Sequence, residues 1–427
     1  MKIVMFTNTY KPHVGGVARS VDFFAEDLRR EGHRVLVVAP EFPGAEDADT
    51  ETLLRVPAIQ EFNGSDFSVR LPAPFRIETV LEAFTPEIIH SHHPFLMGDT
   101  AVRVARGRNL PMVFTHHTLY EQYTHYVPLD SEAMQRFVIH LATDYANFST
   151  RVVAPSRSIA GLIRSRGVRP PVDVVPTGVD LAFFGSGHGR RFRREHGIPD
   201  DALVAGHLGR LAPEKNLAYL ARAVGQVVAE RPEARFLVVG QGPSSEEILA
   251  CFEDRGIANR LIMAGALSGQ ALVDAYHAMD LFVFASQSET QGMVLAEAMA
   301  AGKPVIALDA SGVREVVSDN VNGRLLPADA GEHAFAAAVA DFFDAPERAG
   351  KWRTEAARTA REFSREASVR KLLRVYRAAA EDHALAAPND SQAWPLYEGL
   401  LEKIKVEWDL INQKMSAAAD AVGLEDL

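Results

Sequence analysis

Short apolar runs of four or five residues recur along the whole chain, and each is continuous rather than alternating. The first half carries Ile3–Thr7, Val35–Ala39, Ile88–Ser91, Met112–Thr115, Arg151–Ala154 and Val172–Val175. The second half carries Val204–Leu208, Phe236–Gly240, Leu261–Ala264, Leu281–Ala285, Val305–Leu308 and Gly323–Leu326. A strand covered on both faces reads in this way, whereas a strand with one wet face alternates. Helical patterns lie between many of the runs: Val17, Val21, Phe24 and Leu28 fall on one helical face. Strand–helix alternation leaves few architectures open, namely parallel sheets with helices on both sides. The series restarts near residue 202, after the polar, arginine-rich stretch Gly185–Arg194, and 427 residues are too many for one ordinary core. The expected class is α/β, with one domain over residues 1–195 and a second over 196–365.

Residues 388–427 follow another pattern. Tyr397, Leu401, Ile404, Trp408, Ile411, Met415, Ala418 and Val422 are spaced by fours and threes, a heptad-like stripe. This amphipathic helical tail either docks on its own protein body or self-associates as a coiled coil, which would make a homodimer. Its other face mixes Glu402, Lys403, Lys405, Glu407 and Asp409, unlike the basic face of a membrane-surface helix. The net charge of −11 argues against broad nucleic-acid binding, which needs a basic footprint. Cys251 is the only cysteine, so an intrachain disulfide is excluded and a reducing cytosol fits. Met1–Tyr10 lacks the pattern of a signal peptide, and no run reaches the ~18 apolar residues of a membrane span. A cytoplasmic protein is expected, with membrane contact, if any, peripheral at the inner face.

Four sites could carry chemistry. Glu289-Thr-Gln-Gly-Met-Val-Leu-Ala-Glu297 follows an apolar run and opens a helix. Amides at a helix start have no intrahelical partner and the dipole favours an anion, so Gly292, Met293 and Val294 could hold a diphosphate. Glu289 in the loop and Glu297 in the helix could accept hydrogen bonds from hydroxyls on different parts of one ligand; a solvated helix start is the plain alternative. In Gly209-Arg-Leu-Ala-Pro-Glu-Lys-Asn216, Arg210 and Lys215 sit past the carboxyl end of a strand, where open α/β sheets bind ligands. Two fixed cations there would neutralise charge on departing phosphate oxygens without a metal. Gly15 and Gly16 allow close backbone approach between the first strand and helix, but lack the G-x-G-x-x-G spacing of nicotinamide sites. His90-Ser-His92-His93 and His116-His117-Thr118 end two adjacent strands and are expected to project imidazoles toward the ligand region. They read as buried structural histidines or as metal ligands, although no carboxylate or cysteine completes a metal spacing. Asp47 and Asp49 read as solvent-exposed.

In this order the motifs resemble the retaining glycosyltransferases of family four, which have the GT-B fold: two Rossmann-like domains with parallel sheets facing across a cleft. The resemblance spans roughly residues 1–380 and is strongest from Ser288 to Val305. Gly209–Asn216, Val239-Gly-Gln-Gly242-Pro243 and Val175–Asp180 support it. It implies a nucleotide-diphosphate sugar as co-substrate and no required cofactor or metal. Arg210 and Lys215 would bind the diphosphate, Glu297 the ribose hydroxyls and Glu289 the transferred sugar. Gly242 and the Gly292–Val294 amides would join the donor site, with Gly15 and Gly16 closing over it. His117 matches the family's active-site histidine, and residues 366–387 would form a helix crossing back to the first domain. Thr115–Tyr126 and His92-His-Pro-Phe-Leu-Met-Gly98 are similar to diacylglycerol glucosyltransferases. That likeness points to UDP-glucose and a lipid acceptor met by His92, Tyr120, Tyr123 and Tyr126, with a soluble or polysaccharide acceptor as the alternative. The acid-free stretch Arg151–Arg169 could meet anionic lipid. A non-catalytic sugar-nucleotide sensor or a GT-B epimerase remains open as another class.

Overall fold

The computed structural model describes residues 1–13, 15–42, 51–59, 69–70, 74–121 and 132–386. The chain forms two compact units, one of Met1–Thr177 with the chain from Ser368, the other of Gly178–Ala367. In the first, the order is β1 (Lys2–Phe6), α1 (Gly16–Arg30), β2 (Arg34–Pro40), β3 (Leu53–Val56), β4 (Ala58–Ile59), β5 (Val69–Arg70), α2 (Pro74–Phe84), β6 (Ile88–Ser91) and α3 (Met97–Gly107). Then come β7 (Met112–Thr115), α4 (Glu132–Asn147), β8 (Arg151–Ala154), α5 (Arg157–Ser165) and β9 (Val172–Val174). Seven of these strands make one parallel sheet in the order β3-β2-β1-β6-β7-β8-β9, and β4 and β5 pair as a small antiparallel ribbon.

All six apolar runs of the first half are strands of that sheet. Alternate residues of each run feed opposite cores, as continuous apolar runs demand. Ile3 and Met5 pack with Val21, Phe24 and Leu28 of α1, while Val4 and Phe6 pack with Met97 and Ala101 of α3. The edge strand β3 went unread because Leu-Leu-Arg-Val is short and contains a charge. Arg55 is buried nonetheless: its guanidinium donates to the carbonyls of Pro40, at 3.0 Å, and Lys11.

The second unit runs α6 (Leu181–Phe184), α7 (Gly189–Glu195), β10 (Leu203–Leu208), α8 (Leu217–Glu230), β11 (Ala234–Val239), α9 (Ser245–Glu253), β12 (Leu261–Met263), α10 (Gly269–Ala278), β13 (Leu281–Phe284) and α11 (Met293–Ala300). It continues through β14 (Val305–Leu308), β15 (Gly323–Leu326), α12 (Glu332–Phe343) and α13 (Pro346–Glu362). Its parallel sheet is ordered β12-β11-β10-β13-β14-β15. Strand order therefore reverses between β10 and β13, the point at which such sheets bind ligands.

The division between units falls after Thr177, ahead of the expected 195. Gly185–Arg194 looks like a polar linker but is docked on the second unit. Arg191 pairs with Asp274, Arg193 bonds Ala278 O and Asp280 at 2.9 Å each, and Phe192 enters the core. Charged side chains with fixed partners disguise a packed helix.

From Ser368, α14 (Arg365–Ala386) belongs to the first unit. Val369, Leu372, Val375 and Tyr376 share a core with β1, β2 and α1. The Tyr376 hydroxyl meets Nδ1 of His90 at 2.7 Å, and both groups are buried. Among the described residues no helix is long and apolar enough to cross a membrane. The 388–427 tail, Asp47 and Asp49 lie outside the described residues.

Tyr376→Phe strips Nδ1 of the buried His90 of its partner and is expected to cost about 1–3 kcal/mol. Denaturant unfolding followed by circular dichroism checks this; an unchanged midpoint would mean that this bond does not hold α14 in place.

Candidate active site

In the second unit the loops after β10 and β13 lie at the strand-order reversal and meet there. Past β10 the chain turns through Gly209 and Arg210 into a 3-10 turn, Pro213–Lys215, and Asn216 takes a left-handed conformation (φ 54°) that starts α8. Lys215 Nζ reaches Glu289 Oε1 at 2.5 Å, both side chains being mostly buried. Arg210 pairs with Glu214. Ser286 and Ser288 hydroxyls donate to the Glu214 carbonyl at 3.4 and 3.5 Å, tying the two loops together. Arg210–Glu214 and Lys215–Glu289 are thus two ion pairs carried by these loops.

Gly292 caps α11 with φ 74°, a conformation that suits glycine. The ladder of α11 begins with Leu295 N donating to Gly292 O at 3.0 Å, so the Met293 and Val294 amides precede it. They provide a polar helix start beside the Lys215–Glu289 pair. Glu297 lies one turn further along α11, is buried, and accepts a 2.9 Å bond from the Tyr276 hydroxyl. Tyr276 on α10 fixes that carboxylate, a partner that the spacing of the two glutamates did not reveal.

Gly242 lies on the other flank. A Cβ on Gly242, at φ 154°, would fall 2.2 Å from the Leu211 carbonyl oxygen, and one on Gly240 would fall 1.9 Å from that of Gly209. Leu211 N donates to Gln241 O at 2.9 Å, and Ser244 N donates to Leu211 O at 2.9 Å. Both glycines let the β11 loop press on the backbone that carries Arg210.

His207 on β10 was not anticipated. It is buried, with its ring 5.9 Å from Phe284 and 6.1 Å from Phe282. Its Nδ1 is 3.2 Å from Val283 O, and a carbonyl only accepts, so the proton sits on Nδ1. The buried Nε2 is therefore a bare acceptor without a protein partner. Burial, with the Lys215 charge adding to it, pushes the pKa down to about 4.

In the first unit the histidines separate into two jobs. His90 is structural: it bonds Tyr376 and, through Nε2 at 2.7 Å, Thr115 Oγ1, so it does not point toward a ligand as expected. His93 Nδ1 accepts from Asn8 N at 3.1 Å, pinning the loop after β1 to the end of β6. His92 and His117, from adjacent strands, stack at 5.2 Å and share a 2.9 Å bond between Nδ1 and Nε2. Burial lowers the pKa of every member, to about 3 for His90 and His93 and about 4 for His116, with His92 and His117 well below the ordinary value. Tyr120 packs against Phe95 and His116, whereas Tyr123 and Tyr126 lie outside the described residues. Gly15 caps α1 in an extended conformation, and a Cβ on Gly16 would meet no atom within 4 Å. Among the described residues no cluster of three or more His, Cys, Asp or Glu is placed to hold a metal ion.

A family model for glycosyl transferases group 1 matches residues 189–359, and one for glycosyltransferase family 4 matches residues 14–183. The chain is 28% identical over 344 residues to an alpha-monoglucosyldiacylglycerol synthase of Streptococcus pneumoniae, with 79% of this chain and 77% of that protein covered. To a GDP-mannose-dependent alpha-mannosyltransferase of Mycolicibacterium smegmatis it is 32% identical over 348 residues, covering 79% of this chain and 88% of the relative. A solved structure of Anabaena HepE in complex with UDP shares the fold, with a TM-score of 0.70 at 21% identity over 88% of this chain and 100% of that one.

Two outcomes follow. The neutral histidines resist protonation in the folded state, so the unfolded chain takes up protons first as pH falls. Their contribution is complete above about pH 6.5 and is lost below it, at up to roughly 1.4 kcal/mol per pH unit for each group, until the folded-state values near 3 and 4 are passed. Urea midpoints between pH 7 and 5 should fall steeply; a flat profile would contradict burial of neutral imidazoles. Gly242→Ala should displace the Arg210 loop and destabilise the protein by on the order of 1–3 kcal/mol; an unshifted melting temperature would show that the loop absorbs the extra methyl.

Proposed function

This chain belongs to glycosyltransferase family four, and from that premise we propose that it transfers a hexose, with retention of anomeric configuration, from a nucleotide-diphosphate donor held in its second unit. The observation that carries the reading is the meeting of Lys215 and Glu289 at the strand-order reversal, beside the start of α11. Arg210 and Lys215 take the diphosphate, exchanging carboxylate partners for phosphate oxygens, and the Gly292, Met293 and Val294 amides complete its cradle. Glu289, released from Lys215, accepts hydrogen bonds from hydroxyls of the sugar, and Glu297 from those of the ribose. Gly15 and Gly16 close over the donor, and His117, oriented by His92, contacts the sugar.

In the reaction the bond between the anomeric carbon and the phosphate oxygen breaks, and a bond to the acceptor oxygen forms. The acceptor proton passes to the departing phosphate, so no protein nucleophile is required. Negative charge grows on the leaving group, and two fixed cations stabilise it most at that moment. That arrangement does the work of a metal, and turnover should persist in chelator.

Glucose from UDP-glucose is the proposed donor and a diacylglycerol-type lipid the proposed acceptor, at the inner membrane face of the cytoplasm. Support comes from the Thr115–Tyr126 segment and from the named activity of the pneumococcal relative. The mannosyltransferase relative makes GDP-mannose the donor to test against it. The 388–427 stripe is proposed as a contact for a second copy.

Lys215→Ala should lower kcat by about 10²–10³-fold while circular dichroism stays native. Full turnover in that variant would remove the diphosphate role. A panel of UDP-, GDP- and ADP-sugars, scored by nucleotide release with and without diacylglycerol vesicles, fixes donor and acceptor. Release only with GDP-mannose, or only without lipid, would replace the corresponding part of the proposal.

A further inference from the structure

The 2.9 Å contact between His92 Nδ1 and His117 Nε2 holds one proton and no more. Two bare lone pairs at that separation would repel, and two N–H groups would clash. Burial keeps both rings neutral, so each carries a single proton on one of its nitrogens. The protonation of all four nitrogens is therefore linked. If His92 donates through Nδ1, its Nε2 is bare and His117 carries its own proton on Nδ1. If His117 donates through Nε2, then His92 carries its proton on Nε2 and the bare nitrogen of His117 is Nδ1.

The surroundings of His92 separate the two states. The residue is 0% exposed, its ring lies 4.1 Å from that of His90, and it stacks on His117. Complete burial removes it from direct contact with an acceptor, the role its sequence suggested. Within that packing His92 Nε2 is buried and meets no hydrogen-bond partner. His90 offers it none, because both nitrogens of that ring are engaged, by Tyr376 and by Thr115 Oγ1. In the second state His92 Nε2 would be an N–H with nothing to accept it; in the first it is a lone pair with nothing to donate to it. Folded chains tolerate an under-used buried acceptor better than an orphaned buried N–H. The first state therefore prevails, and His117 keeps its proton on Nδ1. His117 is only half-buried, and its Nδ1 bonds to no described residue, so that N–H is open to a ligand.

We propose that His92 is a positioning residue that acts through His117: by giving its only N–H to His117 Nε2 it fixes the Nδ1–H tautomer, so that His117 meets the sugar as a hydrogen-bond donor. This rests on the reading that His117 contacts the donor sugar. The atom it selects is an oxygen with a lone pair to share. Glu289 and Glu297, the other side chains proposed to touch hydroxyls of the donor, can as carboxylates only accept, and His117 supplies the opposite polarity.

The tautomer is read without substrate, by nitrogen-15 NMR of histidine-labelled protein at about pH 7.5, above the ordinary histidine range. A protonated and a bare ring nitrogen differ widely in shift, and the His117 signals are assigned by their loss in His117→Gln. Wild type should show His117 protonated on Nδ1 and bare on Nε2. His92→Phe keeps a ring in the stack but has no N–H to give, and there the His117 proton should spread over both nitrogens. His92→Asn returns an amide N–H near the former Nδ1 and should restore the wild-type pattern. With UDP-glucose, kcat should fall about tenfold in His92→Phe, the factor implied by one lost hydrogen bond, with KM little changed, and should recover in His92→Asn. A His117 proton on Nε2 in wild type overturns the proposal before any variant is made. So does a His117 pattern, or a kcat, that His92→Phe leaves unchanged. Absence of nucleotide release from wild type would strike the transfer reading instead, while the spectrum, taken without donor, still decides the tautomer.

Discussion

The ion pair between Lys215 and Glu289 is the constraint around which the second unit is organised. A lysine and a glutamate 74 positions apart meet only because β10 and β13 are neighbours although β11 and β12 intervene in sequence. At every other neighbouring pair in this sheet the strands are consecutive, and their loops lead to the same side. At the reversal the two loops diverge around a crevice, and side chains from both can reach one ligand. With no ligand bound, such cations would repel one another and lose solvation. Carboxylates from the same loops hold them instead, so the site is electrically balanced before any phosphate arrives. Under the proposed donor role, a diphosphate would have to outcompete Glu289 and Glu214, which favours a ligand with two closely spaced charges over a single weak anion.

The first unit solves a different problem. Five histidines crowd the ends of β6 and β7, and five imidazolium ions could not share that volume. Burial keeps them neutral, and neutral imidazoles can both donate and accept, so they link strands as hydrogen-bonding spacers. His90 joins β6 to β7 through Thr115 and to α14 through Tyr376. His93 takes an amide from the β1 loop, and His92 reaches His117. The ring proposed to touch sugar thereby stands at the end of a rigid polar lattice, and its orientation is inherited from strand registry.

Much of this was legible in the sequence because the signals were strong and local. Unbroken apolar runs mark doubly covered strands, and all twelve became strands of the two parallel sheets. The Glu289–Glu297 segment followed a strand and opened a helix, as its residues imply. What escaped reading was charge satisfied at long range. Arg55 interrupts β3, and Arg191 and Arg193 make α7 look like a linker, because a sequence does not say which carbonyl or carboxylate waits for a guanidinium. The same blindness hid Tyr276 behind Glu297 and merged His90 with the histidines around His117: chemically alike residues take roles set by which face of a strand they occupy.

His207 carries this furthest. A histidine within an apolar run reads as a tolerated core residue, and its two aromatic neighbours agree with that. Yet the Val283 carbonyl commits its proton to Nδ1 and leaves a buried lone pair on Nε2. Filling that position with phenylalanine would have avoided the desolvation cost of an acceptor with no donor. The lone pair lies on the strand that leads into the Arg210 loop, where the Lys215 charge is felt. The apolar run around His207 does not reveal that cost, because it depends on a carbonyl contributed by the neighbouring strand β13.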